Sequence, residues 1–180
     1  MITKGGYTFT EAQVAFFKKY DLAAWDAVEG TGISVLTLLA QAAHESGWGT
    51  SQLATQAKNI FGKVNGIKAD ASWKGAKYGS YRAYDNTLQS MKDYVKFLQT
   101  NSRYKKIFLP ENQNFNAQIS IIAKAGYATD PNYESKVRAV ATTLNELHQV
   151  YYKEVTGGGN KTIMWVGLAL FILLLSESES

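Results

Sequence analysis

A short stretch of the sequence, from Ala40 to Ser51, contains the residue types that general acid catalysis requires. Glu45 lies on the last turn of a predicted helix, where the negative end of the helix dipole disfavours the ionised carboxylate. Trp48 follows within one turn and can wall the carboxyl from water. Both effects raise the pKa of a glutamic acid, as a proton donor that works near neutral pH requires. The pair is also compatible with an exposed glutamate at a helix end, so it does not by itself predict a catalyst.

The composition excludes several other kinds of site. The chain of 180 residues has no cysteine, which excludes disulfides, thiolate chemistry and zinc–thiolate centres. His44 and His148 lack metal-ligand spacing, so we expect neither a metal nor an organic cofactor. The net charge of +4 suits an anionic polymer, but basic residues form no run beyond pairs such as Lys18-Lys19. No nucleic-acid motif is present, and nothing in the sequence indicates an oligomeric state.

Hydrophobic residues at helical spacing predict a mainly α fold that positions these side chains. The segment between Asn59 and Tyr84 differs, because glycines interrupt it and aromatic residues are dense there, which predicts loops with one short β-hairpin. The expected helix signals are the Thr10–Gln13 capping box, Ser34 and Gly47 at the two ends of the second helix, Asp85 as a cap, a helix over about Phe115–Ala125, and Asp130-Pro131 at the start of the last helix.

The C-terminal residues predict a membrane attachment. We expect a domain over 1–155, a glycine-rich linker over 156–161, a hydrophobic transmembrane helix over 162–176 and an acidic tail over 177–180. The apolar run is shorter than the ~20 residues that usually span a bilayer, but flanking lysines and local thinning make a short span feasible. Because the first ten residues are polar and no signal peptide is visible, we expect anchoring in a bacteriophage virion membrane or in the host cell membrane.

Several segments resemble, in order, the motifs of glycoside hydrolase family 73, the family of flagellar rod-cap hydrolases and many autolysins and phage lysins. The resemblance covers about residues 10–150 and implies a lysozyme-like α+β domain. It also implies hydrolysis of the β-1,4 bond between N-acetylglucosamine and N-acetylmuramic acid, with peptidoglycan glycan strands as the partner. The segments are Ala40–Ser51, Asn59-Ile60-Phe61-Gly62, Trp73-Lys74-Gly75, Tyr81-Arg82-Ala83-Tyr84-Asp85, Asn101-Ser102-Arg103-Tyr104 and Ala125–Tyr133.

The resemblance also implies roles for individual residues. Glu45 aligns with the family's general acid, and Tyr127 aligns with a tyrosine of the cleft that holds the reacting sugar or its N-acetyl group. Packing is the alternative for Phe61 and Tyr104, and a helix cap is the simpler interpretation of Asp130. The residues expected to contact substrate are Trp48, Asn59, Phe61, Trp73, Tyr84 and Tyr104.

The hairpin departs from the family's pattern, which places a second glutamate shortly after the Trp-x-Gly segment. From Trp73 to Tyr84 this sequence contains no carboxylate, and the nearest acids are Asp70 and Asp85. Glycosidases usually need two carboxyl groups, ~5 Å apart for retention or ~6.5–9.5 Å apart for inversion. Three alternatives stay open: Asp70 acts as the base, the substrate's own acetamide acts as the nucleophile, or activity is weakened. We favour the second.

Two other functions fit the same sequence. A lytic transglycosylase or muramidase shares the fold and often uses one glutamate. A non-catalytic wall-binding or virion membrane protein would also tolerate the missing hairpin acid.

Overall fold

The computed structural model describes residues 1–62, 69 and 71–153, and these form a mainly helical domain with two small antiparallel hairpins. The first hairpin pairs β1 (Ile2–Lys4) with β2 (Tyr7–Phe9), and the second pairs β3 (Lys77–Tyr78) with β4 (Tyr81–Arg82). The helices are α1 (Glu11–Val28), α2 (Val35–Ser46), α3 (Gln52–Gln56), α4 (Thr87–Thr100), α5 (Phe115–Lys124) and α6 (Tyr133–Lys153), with 3-10 segments at Ser102–Phe108 and Pro110–Asn112. The predicted mainly α architecture with a hairpin near residue 80 is confirmed.

Helix α2 is the centre of the domain, and all of its residues but one are buried. It packs against α1, α5 and α6, and small side chains such as Ala40 and Ala43 allow these helices to approach closely. Ser34 occupies the N-cap position, but its side chain makes no capping bond, contrary to the prediction. Instead its N–H donates to the Gln118 side chain at 2.9 Å, so a long-range contact replaces the local cap.

The other helix signals are correct to within a few residues. The capping box at Thr10 and Gln13 is present in both directions. The cap of α4 is Asn86 and not Asp85, because the Asn86 side chain accepts from the Gln89 N–H at 3.0 Å. The prediction missed by one residue because both side chains are good caps.

The last helix begins two residues later than the sequence indicated. Asp130 and Pro131 form a turn, in which the Tyr133 N–H donates to the Asp130 carbonyl at 3.0 Å. The Asp130 carboxylate accepts from the Asn132 N–H at 2.9 Å, so it stabilises this turn before α6 starts. This structural role agrees with the simpler interpretation of Asp130.

The N-terminal hairpin was not predicted, and it lies against α6. The Tyr7 hydroxyl contacts the Gln149 side chain, and the Lys4 ammonium lies 4.5 Å from the centre of the Tyr151 ring. These long-range contacts hold strands that are too short to carry a periodic pattern of their own.

Some predictions fall on residues outside those described, namely Asp70, the linker 156–161, the anchor helix 162–176 and the acidic tail 177–180. Within the described part of the chain, no helix combines the length and the hydropathy that a membrane crossing requires.

Candidate active site

Glu45 occupies the last turn of α2 and is buried, with 9% of its surface exposed. Three tyrosines from other parts of the chain lie within electrostatic reach of its carboxylate: Tyr94, Tyr127 and Tyr133. Burial raises the pKa of each tyrosine hydroxyl above its ordinary value, and the negative charge of Glu45 raises each pKa further. The structure therefore places the predicted proton donor among phenol groups that stay protonated.

The turn after Glu45 requires the residue types that follow it in the sequence. Gly47, Trp48 and Gly49 all have left-handed backbone conformations, with φ between 57° and 75°. A Cβ atom at Gly49 would lie 2.9 Å from the Tyr20 ring, so this position needs glycine. The Ser46 hydroxyl donates to the Ala42 carbonyl at 2.6 Å and accepts from the Gly49 N–H at 2.8 Å, which closes the helix end.

Trp48 is a non-glycine residue in the left-handed region, a strained conformation that is typical of functional sites. Its indole packs edge-on against Phe16 of α1, with 5.6 Å between the ring centres. It is partly exposed, and its proposed shielding of Glu45 stays a prediction.

Gln41 connects the tyrosines behind Glu45. It lies one turn before Glu45 on α2 and is fully buried. Its Nε2 donates to the Tyr133 hydroxyl at 2.8 Å, and its Oε1 accepts from the Tyr94 hydroxyl at 2.9 Å. Because Tyr133 accepts from Gln41, it keeps its own proton for a second acceptor. Gln41 thus fixes the hydroxyl of one tyrosine from α4 and of another from α6.

Tyr127 has a different status within this cluster. Its ring lies 5.2 Å from the Tyr133 ring and 6.1 Å from the Tyr94 ring, and it is 7% exposed. Its hydroxyl is buried and makes no hydrogen bond of normal geometry to a described residue, although the Tyr94 and Tyr133 hydroxyls lie close enough for their pKa values to respond to it. Leaving such a group unsatisfied costs about 1–3 kcal/mol, which a ligand atom at this position would recover.

Three residues that were expected to contact the glycan are buried and contact other residues of the domain. Phe61 is 0% exposed and stacks on Tyr94 at 4.0 Å between ring centres. Tyr104 is likewise buried, and its ring lies 6.3 Å from the Tyr127 ring. The Asn59 amide donates to the Arg82 carbonyl at 2.8 Å and its oxygen accepts from the Phe61 N–H at 3.1 Å. Their burial supports packing and hairpin attachment as the roles of these three residues, and their contact with substrate stays a prediction.

Trp73 and Tyr84 are partly exposed on the side of the hairpin, and their rings meet edge-on at 5.6 Å. The Trp-x-Gly spacing has a steric cause, since a Cβ atom at Gly75 would lie 2.5 Å from the indole of Trp73. The indole N–H donates to the Ala76 carbonyl at 2.8 Å. Contact of these two side chains with a sugar stays a prediction.

An ion pair that the sequence did not reveal joins the hairpin to α4. Arg82 contacts both oxygens of Asp93, at 2.9 and 3.2 Å. The Tyr84 hydroxyl donates to the same carboxylate at 2.6 Å. Burial, followed by the bond to Asp93, raises the pKa of Tyr84 above its ordinary value. Asp93 is thus fully engaged in holding the hairpin.

One signal for the missed residues was present in the sequence. Thr37, Gln41 and Glu45 recur every four residues on a mostly apolar helix, so they form one polar stripe on a buried helix. A buried polar stripe needs partners, and Tyr94 and Tyr133 supply them for Gln41. Within the described residues, no group of three or more His, Asp or Glu side chains could hold a metal ion.

Comparison with known proteins gives a consistent family. The family model described as mannosyl-glycoprotein endo-β-N-acetylglucosaminidase matches residues 22–146. Peptidoglycan hydrolase FlgJ of Vibrio parahaemolyticus is 33% identical over 161 residues, which are 81% of this chain and 51% of that protein. Exo-glucosaminidase LytG of Bacillus subtilis is 34% identical over 115 residues, which are 57% of this chain and 41% of that protein. The chain spans about half the length of these relatives.

The fold is also similar to a solved structure. The glycoside hydrolase domain of FlgJ from Salmonella typhimurium superposes with a TM-score of 0.65 at 30% identity, covering 80% of this chain and 98% of that domain. The lysozyme-like glycoside hydrolase fold expected from the sequence is confirmed.

Proposed function

Because the chain belongs to the glucosaminidase family, we propose that it hydrolyses the β-1,4 bond between N-acetylglucosamine and N-acetylmuramic acid in peptidoglycan. Relatives named as peptidoglycan hydrolases match most of the domain and support this substrate. The observation that carries the proposal is the placement of Glu45, a buried carboxyl beside the unpartnered hydroxyl of Tyr127.

In the first step Glu45 acts as the general acid. Its carboxyl proton passes to the glycosidic oxygen while the bond from that oxygen to C1 of N-acetylglucosamine breaks. Gln41 holds Tyr133 and Tyr94 in place behind this carboxyl, so the acid works from a rigid support. Trp73 and Tyr84 offer aromatic faces on which a sugar ring can pack.

In the same step the acetamide oxygen of the N-acetylglucosamine unit attacks C1 and forms a cyclic intermediate. Water then attacks C1, the Glu45 carboxylate removes a proton from this water, and the acetamide is restored. The absence of any carboxylate from Trp73 to Tyr84 supports this substrate-assisted route. The Tyr127 hydroxyl is suited to orient the acetamide because it makes no hydrogen bond of normal geometry to a described residue.

Digestion of purified peptidoglycan, followed by borohydride reduction and mass analysis of the fragments, tests the reaction. The proposal predicts N-acetylglucosamine at the new reducing end. A 1,6-anhydro muramic end would instead identify a lytic transglycosylase, and a reducing N-acetylmuramic end would identify a muramidase. The Glu45→Gln protein is the matched control, and equal cleavage by both proteins would support neither reaction at this site.

We also propose that residues 162–176 attach the domain to a lipid membrane. The support is the uninterrupted apolar run from Ile163 to Leu175, which follows Lys161. Flotation of the full chain with anionic vesicles should place it with the lipid, and Leu170→Lys combined with Leu173→Lys should abolish flotation. Leu22→Lys is the control, because Leu22 is an exposed apolar residue of α1.

Equal flotation of all variants would contradict the attachment. A bacteriophage virion as the location of this membrane stays a prediction, which detection of the chain in purified phage particles would test.

A further inference from the structure

We propose that a pocket between the second hairpin and α4 binds a carboxylate of the peptide stem that N-acetylmuramic acid carries. This inference rests on the proposed function. It concerns the peptide stem, which takes no part in the cleavage of the glycosidic bond. The pocket has a volume of about 370 Å³, and its walls include Trp73, Arg82, Asp93, Lys96, Phe97 and Thr100.

The walls of the pocket are rigid on the hairpin side. The Arg82 guanidinium lies over the Trp73 indole, 4.7 Å from its centre, and the same guanidinium binds Asp93. The Tyr84 hydroxyl also donates to Asp93. The Asp93 charge is therefore neutralised within the wall and does not repel an anion in the pocket.

Lys96 adds a positive charge to the pocket. It lies on α4, next to Phe97, and its side chain is exposed. No carboxylate of the described residues pairs with it. Arg82 and Lys96 against Asp93 leave the pocket with a surplus of positive charge, which favours an anionic ligand.

The pocket is connected to the catalytic cluster by a row of aromatic rings. Phe97 contacts Tyr104 at 5.6 Å between ring centres, and Tyr104 contacts Tyr127 at 6.3 Å. A continuous row of rings therefore joins the pocket to the catalytic cluster, and we expect a glycan strand bound at Glu45 to bring the stem of a neighbouring muramic acid to the pocket.

The charges of peptidoglycan indicate which of its groups binds in the pocket. The sugar rings of peptidoglycan are neutral, and stacking and neutral hydrogen bonds suffice for them. In intact peptidoglycan the lactyl group is amide-linked to the stem, so the free carboxylates belong to the peptide. A pocket whose lysine pairs with no carboxylate of the described residues, beside an aromatic wall, therefore fits the stem better than the glycan.

Binding measurements in a Glu45→Gln background test the proposal without relying on hydrolysis. The probe is sonicated glycan strands with intact stems, compared with the same strands after carbodiimide amidation of their carboxylates. We expect Lys96→Ala to raise the Kd for intact strands about two- to fivefold, in the range of one exposed ion pair, and to leave the Kd for amidated strands unchanged.

Lys92→Ala is the matched control, because Lys92 lies one turn earlier on α4, pairs with Asp26 at the surface and does not line the pocket. Equal effects of Lys96→Ala on intact and amidated strands would overturn the proposal. So would a Lys96 effect of the same size on strands whose stems an amidase has removed, since the free lactyl carboxylate would then be the ligand. Failure of the wild-type chain to cleave any strand would contradict the proposed function and leave these binding outcomes decisive for the pocket.

Discussion

Among the described residues, two buried carboxyl groups lie beside tyrosines, and their surroundings differ. Asp21 of α1 is 2% exposed, and one of its oxygens accepts from the Tyr152 hydroxyl of α6. Glu45 of α2 is 9% exposed and lies near Tyr127 and Tyr133. An acidic side chain, burial and a tyrosine neighbour are common to both sites.

The two sites differ in which group lacks a partner. At Asp21 the second carboxyl oxygen is buried without a hydrogen bond to any described residue, and burial raises the pKa of Asp21 to about 6. At Glu45 the tyrosine network is braced by Gln41, and the group without a partner is the Tyr127 hydroxyl. We therefore expect the buried Asp21 carboxyl to affect folding stability, because one of its own oxygens is unsatisfied, and the Tyr127 hydroxyl beside Glu45 to serve the proposed catalysis.

The largest expected effect separates the two acids by activity. Glu45→Gln should reduce the rate of peptidoglycan cleavage by about 10²–10⁴-fold, the usual contribution of a general acid. Asp21→Asn should leave this rate within about twofold. Release of soluble fragments from purified peptidoglycan measures both, and a similar loss in the two variants would break the distinction between the sites.

The second effect concerns stability, and its sign follows from the raised pKa of Asp21. Between pH 4 and 6 folded Asp21 holds a proton that the unfolded chain has lost, so its contribution to the free energy of unfolding falls as pH rises. The loss is about 3 kcal/mol by pH 7, from a pKa raised from 3.8 to about 6. Urea unfolding at a series of pH values should show that Asp21→Asn removes this loss.

His148 supplies the opposing control for that measurement. Burial lowers the pKa of His148 to about 4, so between pH 4 and 6.5 only the unfolded chain binds its proton. The free energy of unfolding therefore rises with pH, and His148→Gln should remove this rise. If the free energy of unfolding depends on pH in the same way in the wild type and in both variants, the account of Asp21 and His148 is contradicted.

A third effect tests the support behind the catalytic acid. Gln41→Leu leaves the Tyr94 and Tyr133 hydroxyls without their partner, which should lower the free energy of unfolding by about 2 kcal/mol. It should also lower kcat about tenfold with little change in KM, because the substrate does not touch Gln41. Thr37→Val is the control, since the Thr37 hydroxyl on the same buried stripe has no partner to lose. If both variants lower the free energy of unfolding equally, the hydrogen bonds of Gln41 to Tyr94 and Tyr133 do not stabilise the site.

The smallest effect concerns the unpartnered hydroxyl. Tyr127→Phe should lower the cleavage rate about five- to tenfold, as the loss of one hydrogen bond to the reacting sugar requires. Its melting temperature should stay equal or rise slightly, since no hydrogen bond of normal geometry to a described residue is lost. Tyr104→Phe, at a buried tyrosine farther along the row, should keep the full rate. A lower melting temperature with an unchanged rate for Tyr127→Phe would make Tyr127 a packing residue.

Local signals in the sequence predicted the elements that depend on local contacts. The Thr10–Gln13 capping box and Gly47 mark helix ends through bonds within a few residues, and both predictions are confirmed. The N-terminal hairpin could not be predicted in this way, because it depends on contacts with α6, more than a hundred residues away. The replaced cap at Ser34 has the same cause, a partner in α5.

The same division applies to the site. Glu45 and Tyr127 were recognised from motifs around them, and the structure brings them together. The bracing by Gln41 needs residues 41, 94 and 133 in one place, and the ion pair of Arg82 with Asp93 needs the hairpin folded onto α4. Asp21 has no distinguishing sequence pattern, since an aspartate within an amphipathic helix is usually exposed.

The central claim is that a single carboxyl, Glu45, works with the substrate's acetamide as nucleophile. Proton NMR of the first sugar released from a soluble glycan strand tests it most directly, because the anomer formed reports the mechanism before mutarotation. Substrate assistance predicts that the β-anomer of N-acetylglucosamine accumulates first. Initial release of the α-anomer would require a second carboxylate acting on water, as Asp70 would, and would contradict the account.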